Sequence, residues 1–253
     1  MYSIENYLSS PLEIEKELKD IFKFQSPKYI LEIGSCDGLD AVKYARFFPK
    51  STIIAFEPIA ANFDLIVNNF SKYNVVNAKA ECFALSNVNG EAKFYVSSGR
   101  PTDVSEDVEW DFGNKSSSLL APDKATEVTS WLKFDQEINV TTKRMDNYLI
   151  ENNISNVDFI HMDVQGAEIM VLEGAGEMIE KVKLIWLEVE NVSLYKNQPL
   201  KSDVEHYLKE KGFTKIKDTV NQIAGDQLWI NYSYFPRKRM THLLWKMTKV
   251  FLK

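Results

Sequence analysis

Short apolar runs alternate along the chain with segments in which apolar residues recur every three or four positions. The runs have the length of strands, and the periodic segments predict amphipathic helices. Predicted strands are 29–33, 52–56, 157–162 and 184–189, and predicted helices are 38–48, 60–70, 146–152 and 166–179. Strands that alternate with helices form a parallel sheet covered on both faces, so the pattern predicts an α/β fold.

Capping and turn signals predict the remaining elements. Ser10-Pro11-Leu12-Glu13 and Ser202-Asp203-Val204-Glu205 have the form of capping boxes, which predicts helices to about residue 24 and up to Gly212. Further strands are predicted at 75–83, 91–96 and 140–144. After the last helix, segments 213–217 and 228–234 predict an antiparallel pair of strands at one edge of the sheet.

One long segment, 97–139, shows no periodicity. It contains glycines, prolines, an acidic run and three consecutive serines. A segment of this length is either mobile surface or a functional lid, and both interpretations stay open. A lid would offer Trp110, Trp131, Ser117 and Ser118 as ligand contacts. The chain therefore divides into an N-terminal helical extension (1–27), a main domain (28–236) with 97–139 as an insertion, and a tail (237–253).

Composition restricts the class of protein. The 253 residues are 45% hydrophobic and 26% charged, which allows a sizeable core. A net charge of −6 argues against a nucleic-acid partner. Cys36 and Cys82 form neither a disulfide framework nor a zinc-binding spacing, which fits a reducing cytosol. No secretory signal and no membrane-spanning run is visible, so we expect a cytoplasmic protein.

The C-terminal tail is strongly basic. Residues 237–253 carry six lysines and arginines and no acid, so the tail is +6 and the remainder −12. Apolar residues recur there at helical spacing: Met240, Leu243, Leu244, Met247 and Phe251. Such a helix suits peripheral contact with an anionic membrane at its inner face. Docking on the protein body or on another subunit is the alternative.

Two segments carry the candidate chemistry of the N-terminal half. In YILEIGSCDG (29–38) a strand reaches Glu32 and breaks at Gly34, with Gly38 following; in IIAFEP (53–58) the next strand ends in Glu57. A glycine turn followed by a carboxylate one strand later is the layout of a nucleotide-type cofactor site, because the carboxylate can bind ribose hydroxyls. The spacing is not G-x-G-x-x-G, so the loop favours a nucleoside over a dinucleotide. An ordinary strand–turn–helix is the alternative.

A second motif, DFIHMDVQGAE (158–168), repeats this arrangement at another strand end. Carboxyl ends of parallel strands line one crevice, so Glu32, Glu57, Asp163 and Glu190 are expected to converge there.

With these motifs the chain resembles the FkbM family of S-adenosylmethionine-dependent methyltransferases. The matching segments, which span roughly residues 28–215, are LEIGSCDG, IIAFEP with Asn62 after it, FALSNVNGEAKFYV, SSSLLAP, VTTKRMDNYL, DFIHMDVQGAEIMVLEGA and IWLEVE. The resemblance implies a Rossmann-like class I fold, with a mostly parallel seven-stranded sheet, an antiparallel closing strand and helices on both faces. It also implies S-adenosylmethionine as cofactor and O-methylation of sugars or small natural products. His161 and Gln165 stand where the family often has Lys and Glu.

The resemblance also implies residue roles. Gly34, Ser35 and Gly38 would lie under the methionine part of the cofactor, and Glu32 would hold the loop and the cofactor's amino group. Glu57, followed by Pro58, would bind both ribose hydroxyls. Phe83, Ala84 and Leu85 would flank the adenine, with plain core as the alternative. Asp163 would face the sulfonium or the acceptor. Candidate substrate-binding residues are Gln165, Glu168, Glu190, Ser117 and Ser118.

A hydroxyl acceptor must lose a proton during methyl transfer, so a base is expected within hydrogen-bond reach. His161 and Asp163 are two positions apart on a strand and can point the same way. We expect His161 as the base with Asp163 orienting it or the acceptor; Asp163 acting alone and a merely structural His161 are the alternatives. A less favoured alternative is Mg²⁺ held by Asp163, Glu168 and Glu190.

Two other functions compete with a sugar O-methyltransferase. A nicotinamide-dependent oxidoreductase would use a similar sheet, but the glycine spacing and the closing strand pair disfavour it. A non-catalytic module that binds the cofactor and recruits partners through the tail would bind tightly without turnover.

Overall fold

The computed structural model describes residues 3–105, 108 and 110–234. Ten strands are present in this part: β1 Tyr29–Ile33, β2 Thr52–Phe56, β3 Ala78–Glu81, β4 Ala84–Ser86, β5 Gly90–Ser98, β6 Lys133–Arg144, β7 Phe159–Met162, β8 Leu184–Glu190, β9 Phe213–Asp218 and β10 Ala224–Asn231. Seven form one sheet in the order β3-β2-β1-β7-β8-β10-β9. Strand β10 is antiparallel to both neighbours, and the other pairs are parallel. The predicted α/β class and its antiparallel closing strand are confirmed.

Helices cover both faces of this sheet. They are α1 Ile4–Ser9, α2 Glu15–Ile21, α3 Leu39–Phe47, α4 Ala60–Lys72, α5 Ala125–Val128, α6 Met145–Glu151, α7 Glu168–Gly174 and α8 Lys201–Glu210, with 3₁₀ turns at Gly113–Lys115, Gly176–Lys181 and Tyr232–Tyr234. Side chains of α2, α3 and α4 pack on one face around Ile30, and those of α6, α7 and α8 pack on the other around Leu31. Because consecutive residues of β1 are buried on opposite faces, Ile30, Leu31 and Ile33 form a nearly continuous apolar run instead of alternating, and Glu32 is a buried acid within it.

A second sheet stands beside the carboxyl end of the first. It has the order β4-β6-β5, with β6 parallel to β4 and antiparallel to β5. Strand β6 begins at Lys133, so the end of the segment predicted to be irregular, 97–139, is regular structure. No residue of β6 before Val140 is buried, so the apolar pattern that predicts a strand is present only at the buried end around Val140.

Two predicted helix starts are wrong. Ser10 follows the end of α1, which the sequence analysis missed, and the next helix begins only at Glu15. The Ser10 hydroxyl donates to the carbonyl of Tyr7 and so closes a helix instead of opening one. Helix α8 begins at Lys201, with the backbone N–H of Leu200 donating to Asp203 at 2.8 Å. In both places the sequence indicates a cap, but the helix begins at a different residue.

The topology brings several loops to one edge of the main sheet. Strands β1, β2, β7 and β8 are parallel, so the loops that follow them open on the same side. Helix α1 and the insertion reach this edge from outside, since Tyr7 and Trp110 both lie there. Within the described ranges, no helix has the length and apolar character needed to span a membrane.

Candidate active site

The turn after β1 packs closely against the ends of β2 and β7. The backbone N–H groups of Gly34 and Ser35 donate to the carbonyl of Phe56 at the end of β2, at 3.1 and 3.0 Å. Gly34 has φ +85°, and a Cβ on it would lie 1.9 Å from the carbonyl oxygen of Asp163. Glycine is therefore required by contact between the β1 and β7 loops, and not only by approach to a ligand.

Glu57 is fixed at the end of β2. One carboxylate oxygen accepts from the N–H of Cys36 and the other from the N–H of Ile59, both at 2.9 Å, with the Asn62 amide 3.4 Å away. Burial raises the pKa of Glu57 to about 7, although these donors act in the opposite direction. A carboxylate held this way keeps lone pairs free for a ligand in the cavity that it lines.

A second group of polar side chains lies at the end of β1, where the family resemblance places the methionine part of the cofactor. Glu32 and His161 are register partners on β1 and β7, and His161 Nδ1 lies 3.9 Å from a Glu32 oxygen. With Asp40 at the start of α3 they bring three ligand atoms within 4.8 Å of one another. Glu32 Oε2 and His161 Nδ1 are buried and have no hydrogen-bond partner. Burial first, and then the charge of Asp40, raise the pKa of Glu32 well above its usual range.

The side chain of Asp163 is held by a residue other than the expected His161. The amide of Gln165 donates to Asp163 Oδ1 at 2.6 Å and to Glu188 at 2.7 Å, while Tyr195 donates to the Gln165 oxygen at 3.1 Å. Gln165 has φ +54°, a left-handed conformation that directs its side chain into this network. No hydrogen bond joins the two described residues His161 and Asp163, so Gln165 is the side chain that orients Asp163.

Three residues predicted to bind substrate lie outside the cavity. Glu168 is 1% exposed and accepts from the N–H groups of Val164 and Gly166, so it supports the β7 loop from behind. Glu190 is also 1% exposed and lies in a buried acidic cluster with Glu168, Asp163 and Glu188. Ser118 is fully buried and donates to the carbonyl of Gln165. The contacts of Glu168 and Ser118 support the β7 loop, and none of the three residues lines the cavity in which a substrate contact is expected.

One cavity collects most of the remaining predicted residues. Including its open mouth it encloses about 990 Å³. The predicted residues that line it are Glu32, Gly34, Ser35, Glu57, Pro58, Phe83, Ala84, Leu85, Trp110, Ser117, His161, Asp163 and Gln165, whereas Trp131 is not among them. Gly38 is absent from this wall; it caps α3 at φ +73°, with Ile66 packed against it.

The cavity also has residues that the sequence analysis missed. They are Tyr7, Cys36, Asp37, Asp40, Asn62, Phe94, Asn114, Lys115 and Leu119, among others. Asp37 and Asp40 follow the glycine turn directly, so their place at a helix start was a usable signal. Tyr7 and Lys115 are far from either motif in the chain, and no local pattern indicates them.

The predicted Mg²⁺ ligands Asp163, Glu168 and Glu190 do not form the group whose geometry suits a cation. Among the described residues, that group is Glu32, Asp40 and His161. Glu168 already spends one oxygen on two backbone N–H groups. The group that could hold a cation therefore lies on the β1 side of the cavity.

Comparison with known proteins gives the family. Residues 32–215 match the family model described as "Methyltransferase FkbM domain". The protein named 2-O-methyltransferase NoeI of Sinorhizobium fredii is 30% identical over 198 residues, covering 77% of this chain and 76% of the relative. Methyltransferase 1 of Beauveria bassiana is 28% identical, covering 68% and 72%.

A solved structure, the N-terminal domain of EvdMO1 with SAH bound, has 11% identity and a TM-score of 0.44, covering 90% of this chain and 84% of that one. That likeness is too remote to add to the family match. The domain match covers well over half of the 253 residues and contains both motifs. The chain therefore belongs to the FkbM family of S-adenosylmethionine-dependent methyltransferases.

Proposed function

We propose that this protein transfers the methyl group of S-adenosylmethionine to a hydroxyl oxygen of a saccharide, in a glycan or glycolipid. The observation that carries the proposal is Asp163, a carboxylate at the cavity wall whose position is fixed by Gln165. The relative named as a 2-O-methyltransferase supports oxygen as the acceptor atom. A small natural product with a hydroxyl is the alternative acceptor.

The cofactor's ribose fits at Glu57. Both carboxylate oxygens are anchored by backbone N–H groups, so the side chain does not have to be ordered on binding. Two ribose hydroxyls donating to one ionised carboxylate form a charge-assisted pair of hydrogen bonds. Phe83, Ala84 and Leu85 lie on the adjoining wall, where adenine would pack.

The cofactor's ammonium group fits the Glu32, Asp40 and His161 group. An ammonium with hydrogen bonds of about 2.9 Å holds tetrahedrally placed acceptors about 4.7 Å apart. Magnesium at about 2.1 Å would need neighbouring ligands only about 3 Å apart. Glu32 Oε1 and His161 Nδ1 lie 3.9 Å apart, wider than neighbouring magnesium ligands, which favours the ammonium; the unpartnered Glu32 Oε2 and His161 Nδ1 would become its acceptors.

This placement favours Asp163 over His161 as the base. If His161 Nδ1 accepts from the ammonium, its remaining ring nitrogen carries a proton and is unable to take another. Asp163 then takes the acceptor's hydroxyl proton. The bound cofactor would supply the methyl group to that oxygen and would leave as neutral S-adenosylhomocysteine. The protein's contribution is mainly alignment of oxygen, carbon and sulfur.

Isotopically labelled S-adenosylmethionine incubated with a glycan extract tests the proposal. We expect label in saccharide, and D163N to lower kcat by about 10²- to 10⁴-fold while leaving S-adenosylhomocysteine affinity within about twofold. H161Q should instead weaken cofactor binding. The reverse pattern would return the base role to His161, and transfer to no hydroxyl acceptor would refute the function.

A further inference from the structure

The insertion builds part of the cofactor cavity. Its 3₁₀ turn, Gly113–Lys115, meets both loops that the cofactor would touch. The amides of Asn114 and Asn62 exchange two hydrogen bonds, at 2.8 and 3.1 Å, and Asn62 lies beside Glu57. The carbonyl of Asn114 accepts from the thiol of Cys36 in the glycine turn, at 3.6 Å.

The turn is held tightly in this place. A Cβ on Gly113 would lie 2.4 Å from the backbone of Ser98 and Gly99, so the turn lies directly against the end of β5. One Asp111 oxygen accepts from the N–H groups of Gly113 and Asn114 at 3.1 Å. The following residue, Ser116, donates its N–H to Ser97. The neighbouring side chain of Lys115 is therefore presented to the cavity by an ordered backbone.

Lys115 is the one lysine or arginine that lines this cavity within the described ranges. The carboxylates on the same wall are Glu32, Asp37, Asp40, Glu57 and Asp163. Lys115 Nζ lies 3.2 Å from Asp37 Oδ2 and 4.8 Å from the centre of the Trp110 ring. An acidic cavity attracts the cofactor's sulfonium and ammonium but repels its carboxylate, so the carboxylate requires this cation.

The location of Lys115 in the cavity agrees with a role in binding the cofactor's carboxylate. An amino acid carries its ammonium and carboxylate on one carbon, so the two binding groups must be neighbours. Asp37, which holds Lys115, precedes Asp40 of the ammonium group by three residues at the start of α3. Lys115 therefore lies at the methionine end, whereas Asn114 faces the ribose end.

We propose that Lys115, delivered by the insertion, binds the carboxylate of the cofactor's amino acid and makes the site selective for the intact amino acid. This rests on the proposed function, since it assumes S-adenosylmethionine as cofactor. On binding, the Lys115 ammonium would be shared between Asp37 and the ligand's carboxylate. The insertion is thereby a cofactor-binding element and not only a cover.

The test compares two ligands by calorimetry on the full chain: S-adenosylhomocysteine and its decarboxylated analogue, S-adenosyl-3-thiopropylamine, which keeps the ammonium. K115M should weaken the homocysteine ligand by about 10- to 100-fold and leave the analogue within about twofold. K115R should recover most of the loss. K93M, at the exposed Lys93–Glu137 pair on the second sheet, is the matched control and should change neither affinity.

A double variant separates direct contact from charge balance. If Lys115 only neutralises Asp37, D37N in the K115M background should restore binding, and that result would overturn the proposal. Equal weakening of both ligands by K115M, or no weakening of either, would overturn it as well. If wild-type protein binds neither ligand, the cofactor assignment itself fails, which is a different result from any of these.

Discussion

Replacing Gly34 with alanine tests the loop crossing on which the site depends. Two costs are expected. Alanine at φ +85° costs roughly 1–2 kcal/mol because the left-handed region crowds its Cβ. The new Cβ would also lie 1.9 Å from the Asp163 carbonyl oxygen. That atom is backbone, so the β1 and β7 loops would have to separate by more than about 1 Å, which adds about 1–3 kcal/mol as overpacking does elsewhere.

The chain offers a control that has only the first cost. Gly212 has φ +82°, and a Cβ there meets nothing within 4 Å. G212A therefore measures the conformational cost alone, lessened by the reduced freedom of the unfolded chain. We expect G34A to destabilise by about 2–5 kcal/mol and to lower Tm by about 5–15 °C, against a few degrees for G212A.

Thermal denaturation with and without S-adenosylhomocysteine provides the assay. Wild-type protein and G212A should be stabilised by the ligand, whereas G34A should lose that protection because its separated loops no longer define the site. If G34A is no less stable than G212A, or keeps full ligand protection, the crossing has been misjudged and the glycine is required for φ alone.

Three further expectations follow from the cavity, the acidic cluster and the tail. Because burial raises the pKa of Glu57 to about 7, its ribose-binding ionised form is lost as pH falls below that value. Calorimetry should therefore show that S-adenosylhomocysteine binds about tenfold more weakly at pH 6 than at pH 8. E57Q should remove this pH dependence together with much of the affinity. Burial, and then the charges of Glu168 and Asp163, raise the pKa of Glu190, so this side chain is neutral at pH 7. E190Q should therefore leave kcat and KM within about twofold and Tm within a few degrees. A large loss of activity would return Glu190 to the substrate-binding set. Residues 237–253 lie outside the described residues, and their membrane contact stays a proposal. Phosphatidylserine vesicles should sediment together with the full chain and not with the chain cut after residue 236. An intact chain that stays in the supernatant would contradict the proposal.

The buried acids show where strand-end reasoning succeeds and where it stops. Glu32, Glu57, Asp163 and Glu190 were expected to converge, and the first three line one cavity. Glu190 ends β8 beside the antiparallel β10, whose Ala224 is its register partner, and it lies in the buried cluster behind the β7 loop. Its position in the sequence resembles that of the other three. Only the packing of the loop after β7 separates them.

The structure gives no hydrogen bond between the described residues His161 and Asp163, for a related reason. Two residues with the same parity on a strand share a face, but β7 ends at Met162 and the chain turns at Asp163. Asp163 is therefore oriented from Gln165 and not from His161. The nearest carboxylate to His161 comes from β1, 129 positions earlier in the chain, through a register that the local sequence does not specify.

What the sequence determined by itself is local: apolar runs buried on both faces, a turn at Gly34 that excludes a side chain, and acids placed where strands end. Those features depend on residues a few positions apart, so their physical cause is visible in the chain. The tertiary structure alone decided that Asp163 crosses over Gly34, that Glu32 meets Asp40 and His161, and that Lys115 reaches Asp37. Each of these contacts joins segments that different strands and loops bring together, and its energy exists only when the sheet has assembled.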